Sequence, residues 1–372
     1  PDQLVTGTMG NGTSNICKCA RQLCDGMKRM VSCDFLVVGA GPAGGATALA
    51  ATSRGMRVLI VDRRQVVGVP VQCAEYIPAM LMGHLDLDNS FIVQQIRGMR
   101  TYLPDEPVTK TRAPGFTIDR ELFDQALIQA ASDVGAKLML STRAVQRIDD
   151  ETILLKRKSG QYLTVGAKII VGADGPRSTV GRWVGAVNHN LLPGVQATLP
   201  LTEPMDWTEV YFDPEISAGY GWLFPKNHIA NVGIGLKNMP RSQTKIGVVL
   251  NRFIARLRAA GKVTGNPVRY AAGWIPAEPV RQAVHGNVAL VGDAAGHTHP
   301  ITGAGISNAV LCGKMAGTWA ARAVEEGDMS VLKHYDHQWQ DLFKNTLDRA
   351  HKRRQTMESD WRDFSRTVKM CW

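Results

Sequence analysis

The tightest constraint on this chain is residues 33–62, where an apolar run enters a glycine-spaced turn and a second apolar run ends on an acid. Cys33-Asp34-Phe35-Leu36-Val37-Val38 has the near-continuous apolar character of a strand buried in a parallel sheet. It leads into Gly39-Ala40-Gly41-Pro42-Ala43-Gly44 and an alanine-rich helix at 45–52, and Arg57-Val58-Leu59-Ile60-Val61-Asp62 supplies a second strand. Together they form one βαβ unit. Gly39 permits the tight turn, and Gly41 lets the main chain approach a pyrophosphate. Gly44 brings the helix close to the sheet, with the phosphates at its positive N-terminus. Asp62 stands where a carboxylate accepts hydrogen bonds from an adenosine ribose, and Arg63 beside it is grouped with the same site. A glycine-rich turn that binds nothing is the bland alternative; strand, helix and acid in this order speak against it.

The rest of the chain alternates between sheet and helix. Residues 92–118 carry strand patterns broken at Pro104-Asp105 and Pro114-Gly115, and Asp119 caps a helix through Ala131 with Leu122, Ala126, Leu127 and Ala130 on one face. Three or four short strands follow between 136 and 171, and 190–240 is rich in strands and turns. Ile246, Val249, Leu250, Phe253, Ile254 and Leu257 form an apolar stripe at helical spacing. After the apolar strand Val288–Val291 the chain turns helical and charged. A chain of 372 residues with 44% apolar content suits two or three domains.

Two later segments separate one dinucleotide from another by resemblance. Val288-Ala289-Leu290-Val291-Gly292-Asp293-Ala294-Ala295-Gly296 resembles the second FAD signature of flavoprotein hydroxylases and reductases, and Gly172-Ala173-Asp174-Gly175-Pro176-Arg177-Ser178 their middle signature. The resemblance implies that Gly292, Asp293 and Ala294 meet the ribityl chain, and that Asp174 and Gly175 contact the cofactor. It also implies that Gly303, Gly305 and Ile306 open a helix beside the flavin ring, where a helix N-terminus favours the negative charge of reduced flavin. Arg120 falls where that family places a flavin-contacting arginine. With no second GxGxxG, NAD(P)H or another reductant is expected to dock transiently as electron donor.

Tyr220-x-Trp222-x-Phe224-Pro225, followed by Gly233-x-Gly235, resembles the substrate-domain signature of the geranylgeranyl reductase family, although Ser217 stands where that pattern has proline. Pro70-Val71-Gln72-Cys73-Ala74-Glu75 is similar to the family's Pro-x-x-Cys-Gly-Glu segment, with Ala74 replacing glycine. The resemblance spans about 33–325. It implies an α/β fold: a Rossmann-type FAD-binding domain (31–90, 113–185, 270–325), an inserted antiparallel β-sheet substrate domain (91–112, 186–269) and a C-terminal helical segment (326–372). It also implies that Trp222 and Phe224 line an elongated apolar substrate, the rings burying much area at little entropic cost. Cys73, Glu75 and Tyr220 become candidate proton donors or positioners. Core packing is the plain role for Trp222, and inert filling that for Cys73. Three functions stay open: an isoprenoid C=C reductase, an O₂-dependent monooxygenase of an aromatic or peptide-borne tryptophan substrate, and a non-catalytic flavin-binding partner protein.

Charge adds one expectation. Residues 226–285 hold ten Lys or Arg (Lys226, Lys237, Arg241, Lys245, Arg252, Arg256, Arg258, Lys262, Arg269, Arg281) against Glu278 alone, nine of the chain's net +10. Such a segment attracts anions or forms a solvated face. With the amphipathic helix around 245–258 it suggests peripheral contact with an anionic membrane, and no nucleic-acid partner is expected. Seven cysteines, an odd number, argue against a disulfide framework. Cys17, Cys19, Cys24 and Cys33 lack paired metal-ligand spacing, and His297 and His299 lack further ligands, so no metal site is expected. Residues 1–30, which include the sequon at Asn11, show no periodicity and read as a mobile leader. Lacking a signal-peptide core, the chain is expected to be cytoplasmic. Pro1 and the stop at Cys371-Trp372 are candidate fragment boundaries.

Overall fold

The computed structural model describes residues 30–237, 245–279 and 282–372. The leader to residue 29, with Asn11, Cys17, Cys19 and Cys24, lies outside the described residues, as do Arg241 and Arg281.

Strand β1 (Met30–Val38), helix α1 (Pro42–Thr52) and β2 (Val58–Val61) form the βαβ unit. β1 opens three residues before Cys33, because main-chain pairing of Met30–Ser32 with Thr164–Gly166 needs no apolar side chains. Next come β3 (Tyr76–Pro78), β4 (Ile92–Tyr102), β5 (Thr109–Ile118), α2 (Arg120–Asp133) and β6 (Lys137–Met139). β7 (Thr142–Arg147), β8 (Thr152–Arg157), β9 (Tyr162–Gly172) and the short α3 (Thr179–Trp183) follow. The strand-rich stretch resolves into β10 (Leu191–Pro200), β11 (Trp207–Tyr211), β12 (Tyr220–Lys226) and β13 (Ile229–Gly235). Then come α4 (Ile246–Ala259), β14 (Arg269–Pro276), β15 (Val284–His285) and β16 (Val288–Leu290). Helices α5 (Ile306–Glu326), α6 (Lys333–Trp339), α7 (Asn345–Ser359) and α8 (Phe364–Cys371) end the chain.

Two sheets organise these elements. The first has a parallel core ordered β16-β9-β1-β2-β6, with β15 antiparallel at one edge and the β7–β8 hairpin running off β9. Phe35–Val38 of β1 and all of β2 are buried on both faces, which is why these stretches read as apolar runs. The second is ordered β14-β10-β13-β12-β11-β4-β5-β3 and is antiparallel except where β4 runs parallel to β11. A parallel neighbour needs a long connection, and the chain supplies one by building half of the first sheet, β6 to β9, between those two strands. The second sheet also curls. Phe224 on β12 touches Tyr76 on β3 at 6.1 Å between ring centroids, whereas four flat strand spacings would separate them by about 19 Å.

Residues 115–118 pair with β4 or β3, residues 270–276 with β10, and Tyr76–Pro78 with β5, so all three stretches belong to the second sheet. Local pattern marks a strand but not its partner.

Helix α2 starts where Asp119 predicted, the Asp119 carboxylate accepting the Glu121 and Leu122 N–H groups. Its buried face is Phe123, Leu127, Ile128 and Ala131, while Leu122 is exposed, because contact with Phe91, Ile77 and Ile306 draws Phe123 inward instead. The stripe on α4 packs as expected, with Val249, Leu250, Phe253, Ile254 and Leu257 against one face of the second sheet. The C-terminal helices cover the other flank, where Ala350, Met357, Phe364 and Val368 pack on Val210, Phe212 and Ile301.

Candidate active site

Sheet register brings the predicted cofactor segments together. Val38, Val61, Gly172 and Leu290 stand level across four adjacent parallel strands, β2-β1-β9-β16. Each strand then releases its motif: Gly39 after β1, Asp62 after β2, Asp174 after β9 and Gly292-Asp293 after β16. Crevices at the carboxyl ends of parallel strands are where such sheets bind nucleotides.

The glycines divide the work. A side-chain carbon at Gly39 would meet the Ala173 carbonyl at 2.2 Å, and one at Gly44 the Gly39 carbonyl at 1.9 Å, so both close the turn on the protein itself. At Gly41, the N-cap of α1 followed by Pro42 and Ala43, nothing lies within 4 Å. That open side at a helix N-terminus fits a pyrophosphate. Asp62 accepts N–H groups from Ala40 at 2.8 Å and Arg64 at 2.7 Å, tying the turn to the next loop, while Arg63 is exposed. Asp174 accepts the Ser178 hydroxyl and the Thr179 N–H, with Gly175 in the left-handed region beside it. Asp293 is pushed up by burial, opposed by the Thr298 hydroxyl it accepts. Gly305 caps α5 beside it; a side chain there would crowd Thr298 and Asp293. Ala294 and Ile306 are buried, and Gly303 holds a left-handed turn over Ile275.

The second sheet turns one face towards this rim. Three rows cross β14, β10, β13 and β12: Gly273-Gly194-Gly235-Tyr220, Ala271-Gln196-Gly233-Trp222 and Arg269-Thr198-Asn231-Phe224. The intervening residues Leu199, Leu223, Val232 and Ile234 point to α4 instead. The Pro70–Glu75 segment crosses the rows. Gln72 donates to the Ala272 carbonyl, Gln196 donates to the Cys73 carbonyl at 2.8 Å, and Asn231 donates to the Ala74 carbonyl and the Glu75 carboxylate. Cys73 and Trp222 therefore share Gln196, whose amide oxygen accepts the indole N–H at 3.3 Å. The indole lies over Gly233, where any side chain would strike it at 2.3 Å.

The three candidate donors are differently employed. Glu75, 1% exposed, accepts the Arg120 main-chain N–H at 3.0 Å, Lys226 at 2.9 Å and Asn231 at 2.7 Å, with Arg269 at 3.9 Å. Its backbone sits at φ 70°, a conformation costing a non-glycine residue about 1–3 kcal/mol, and these partners hold it there. Tyr220 donates its hydroxyl to the Thr302 carbonyl and packs against Trp222, Phe212 and Trp372. The half-buried Cys73 sulfur accepts the Glu75 N–H at 3.2 Å, and its S–H is given to no acceptor among the described residues. Burial pushes this thiol up and the Arg120 guanidinium, paired with Asp124 at 2.8 Å, pulls it back. His299 accepts the Thr302 N–H, while His297 is pushed down to about 3 by burial and is neutral beside Trp339.

Gln196, Asn231, Lys226 and Asp124 were not singled out from the sequence. Lys226 alone carried a signal, standing two residues beyond Phe224 on the same strand face.

The basic segment is mostly paired. Lys226 meets Glu75, Lys237 meets Glu358, Arg252 meets Glu215, Arg256 meets Asp213 and Lys262 meets Glu209, all acids from outside 226–285. Five of the described cations of this segment thus meet an acid supplied by another part of the chain.

Known proteins share this architecture. Residues 110–350 match a family described as FAD binding domain, and residues 34–176 one described as FAD dependent oxidoreductase. The digeranylgeranylglycerophospholipid reductase of Methanothrix thermoacetophila is 34% identical over 333 residues, 83% of each chain. That of Methanopyrus kandleri is 34% identical over 85% of this chain and 88% of its own. A geranylgeranyl bacteriochlorophyll reductase-like protein from Thermoplasma acidophilum superposes with a TM-score of 0.84 at 26% identity, covering 92% of this chain and 91% of that one. A probable FAD-dependent monooxygenase from Pseudomonas aeruginosa, at 18% identity and TM-score 0.68 over 91% of this chain and all of its own, shares the fold alone. On this sequence identity, and with FAD as cofactor, the chain belongs to the geranylgeranyl reductase family of FAD-dependent oxidoreductases.

Proposed function

We propose that this protein reduces C=C bonds in the isoprenoid chain of a geranylgeranyl-type substrate, with NAD(P)H or another reductant as electron donor. The observation that carries the reading is the meeting of Cys73 and Trp222 through Gln196 on the sheet face beside the flavin rim. Reduced FAD, when bound, supplies a hydride to one alkene carbon. The chain must supply a proton to the neighbouring carbon. Cys73 carries a thiol hydrogen with no competing acceptor among the described residues, and its high pKa keeps it protonated at neutral pH. The Arg120 guanidinium stabilises the thiolate that remains until solvent returns the proton. Glu75 holds the segment in place, Tyr220 braces the Thr302 loop, and Trp222 with Phe224 offers the apolar wall. Gly39, Gly41, Pro42, Ala43, Gly44 and Asp62 are assigned to the adenosine and pyrophosphate half of FAD. Asp174, Gly175, Gly292, Asp293 and Ala294 are assigned to its ribityl side.

The test is anaerobic. Photoreduced holoprotein mixed with a geranylgeranyl compound should reoxidise and yield a product two hydrogens heavier per reduced bond. Absence of reoxidation by any prenyl compound, together with ligand-dependent oxygen uptake and a hydroxylated product, would hand the assignment to monooxygenation.

Peripheral contact with an anionic membrane is proposed at the edge strand β14 rather than at α4. Val268 just before it and Tyr270 and Trp274 on it are exposed, Tyr270 at 63%, with Arg177 stacked on Trp274 at 4.2 Å. Aromatic rings beside cations suit a lipid interface. Among the described residues no helix is long and apolar enough to cross a membrane.

A further inference from the structure

Helix α7 buries a guanidinium that its neighbours leave incomplete. Arg354 is 1% exposed, and its Nε donates to Glu358 at 2.8 Å, but its Nη2 has no partner among the described residues. The same Glu358 carboxylate also receives Lys237 and the Asn190 amide at 3.2 Å. Two cations therefore share one carboxylate. A buried unpaired donor costs about 1–3 kcal/mol, more when charged, so this Nη2 calls for an acceptor.

The cluster lies at the edge of the site just described. Lys237 follows Gly235, the ladder partner of Tyr220, and its N–H donates to Ser217 at 2.9 Å, on the chain entering β12. Arg354 and Tyr220 feel one another electrostatically. Ala350 and Met357, flanking Arg354 on α7, join an apolar cluster with Ile301, against which Tyr220, Phe224 and Trp372 pack. Lys237, its side chain 33% exposed, forms the outer side, and Arg354 lies beneath. One cation at the rim, a second buried beneath it and an apolar wall leading past Tyr220 match a molecule with one anionic end and one prenyl end.

We propose that Arg354 and Lys237, with Asn190, form a subsite for the phosphate end of a prenyl substrate. The inference rests on the isoprenoid reading above. A phosphate oxygen completes the unpartnered guanidinium edge, and the second cation balances its charge. The subsite sets how far along the wall the chain extends and so which double bond meets the flavin.

The experiment compares geranylgeranyl phosphate with geranylgeraniol as acceptors for the reduced holoenzyme, in wild type, Arg354→Gln and Lys237→Gln. The preference for the phosphate in kcat/KM should fall about tenfold in each variant, the loss expected of one charge-assisted contact. Lys237→Gln, at the partly exposed rim, decides the matter if Arg354→Gln does not fold. Inorganic pyrophosphate should raise the melting temperature of wild-type holoprotein and not that of Lys237→Gln. This arm reads the subsite even if no prenyl compound is reduced. Unchanged acceptor preference in the folded variants, with an unchanged response to pyrophosphate, would overturn the subsite and leave Arg354 a structural pin between α7 and the sheet. Failure of wild type to reduce either acceptor counts against the reductase reading alone.

Discussion

The two faces of the second sheet are made from alternate residues of the same strands, yet they are built on opposite principles. Towards α4 stand Leu199, Leu223, Val232 and Ile234, closed by Phe253 and Leu257. Towards the flavin rim stand Gln196, Thr198, Asn231, Trp222 and Lys226, held to Glu75 and Cys73 by directed hydrogen bonds. The back face gains from area removed from water, which tolerates shape changes of similar volume. The front face gains from geometry, where one missing partner strands another in a low-dielectric setting. Apolar packing and directed polar contacts thus occupy separate surfaces one residue apart.

Four measurements test that division. Glu75→Ala removes the only carboxylate within 4 Å of both Lys226 and Arg269 among the described residues, and should cost about 3–5 kcal/mol in chemical denaturation. A loss below 1 kcal/mol would mean the front face is not held by this cluster. Phe253→Ala empties the back face beneath Gly221 and should cost about 3–4 kcal/mol, with flavin content and acceptor preference intact at permissive temperature. Altered preference in that variant would erase the distinction between the faces.

Cys73→Ser should leave stability nearly unchanged and slow flavin reoxidation by the alkene about 100-fold. Because burial raises the Cys73 pKa, the thiol stays protonated through neutrality, so the wild-type rate should hold level there and decline only in the alkaline range. The serine variant should lack that alkaline limb. A wild-type rate already falling between pH 6 and 8 would point to another donor. The smallest effect is expected from charge reversal at Arg252 and Arg256, each already paired with Glu215 or Asp213. Co-sedimentation with anionic vesicles across a salt series should change less than twofold for that pair, and clearly more for Tyr270→Ser with Trp274→Ser. The reverse order would return the membrane contact to α4.

What the sequence determined by itself is the half of the molecule whose information is local. Gly39, Gly41 and Gly44, the acid at Asp62 and the turn at Gly292-Asp293 are demands of the main chain on individual positions. A short window therefore carries them, as it carries the Asp119 cap and the α4 stripe. Only the tertiary structure decided the other half. Nothing near Cys73 in sequence points to Gln196, nothing near Glu75 to Lys226, Asn231 and Arg269, and nothing near Arg252 to Glu215. Those pairings arise when distant strands come into register and the sheet curls on itself. For the same reason the charge count of 226–285 omits its partners: composition sums the cations of a segment, whereas their acids arrive from elsewhere in the fold.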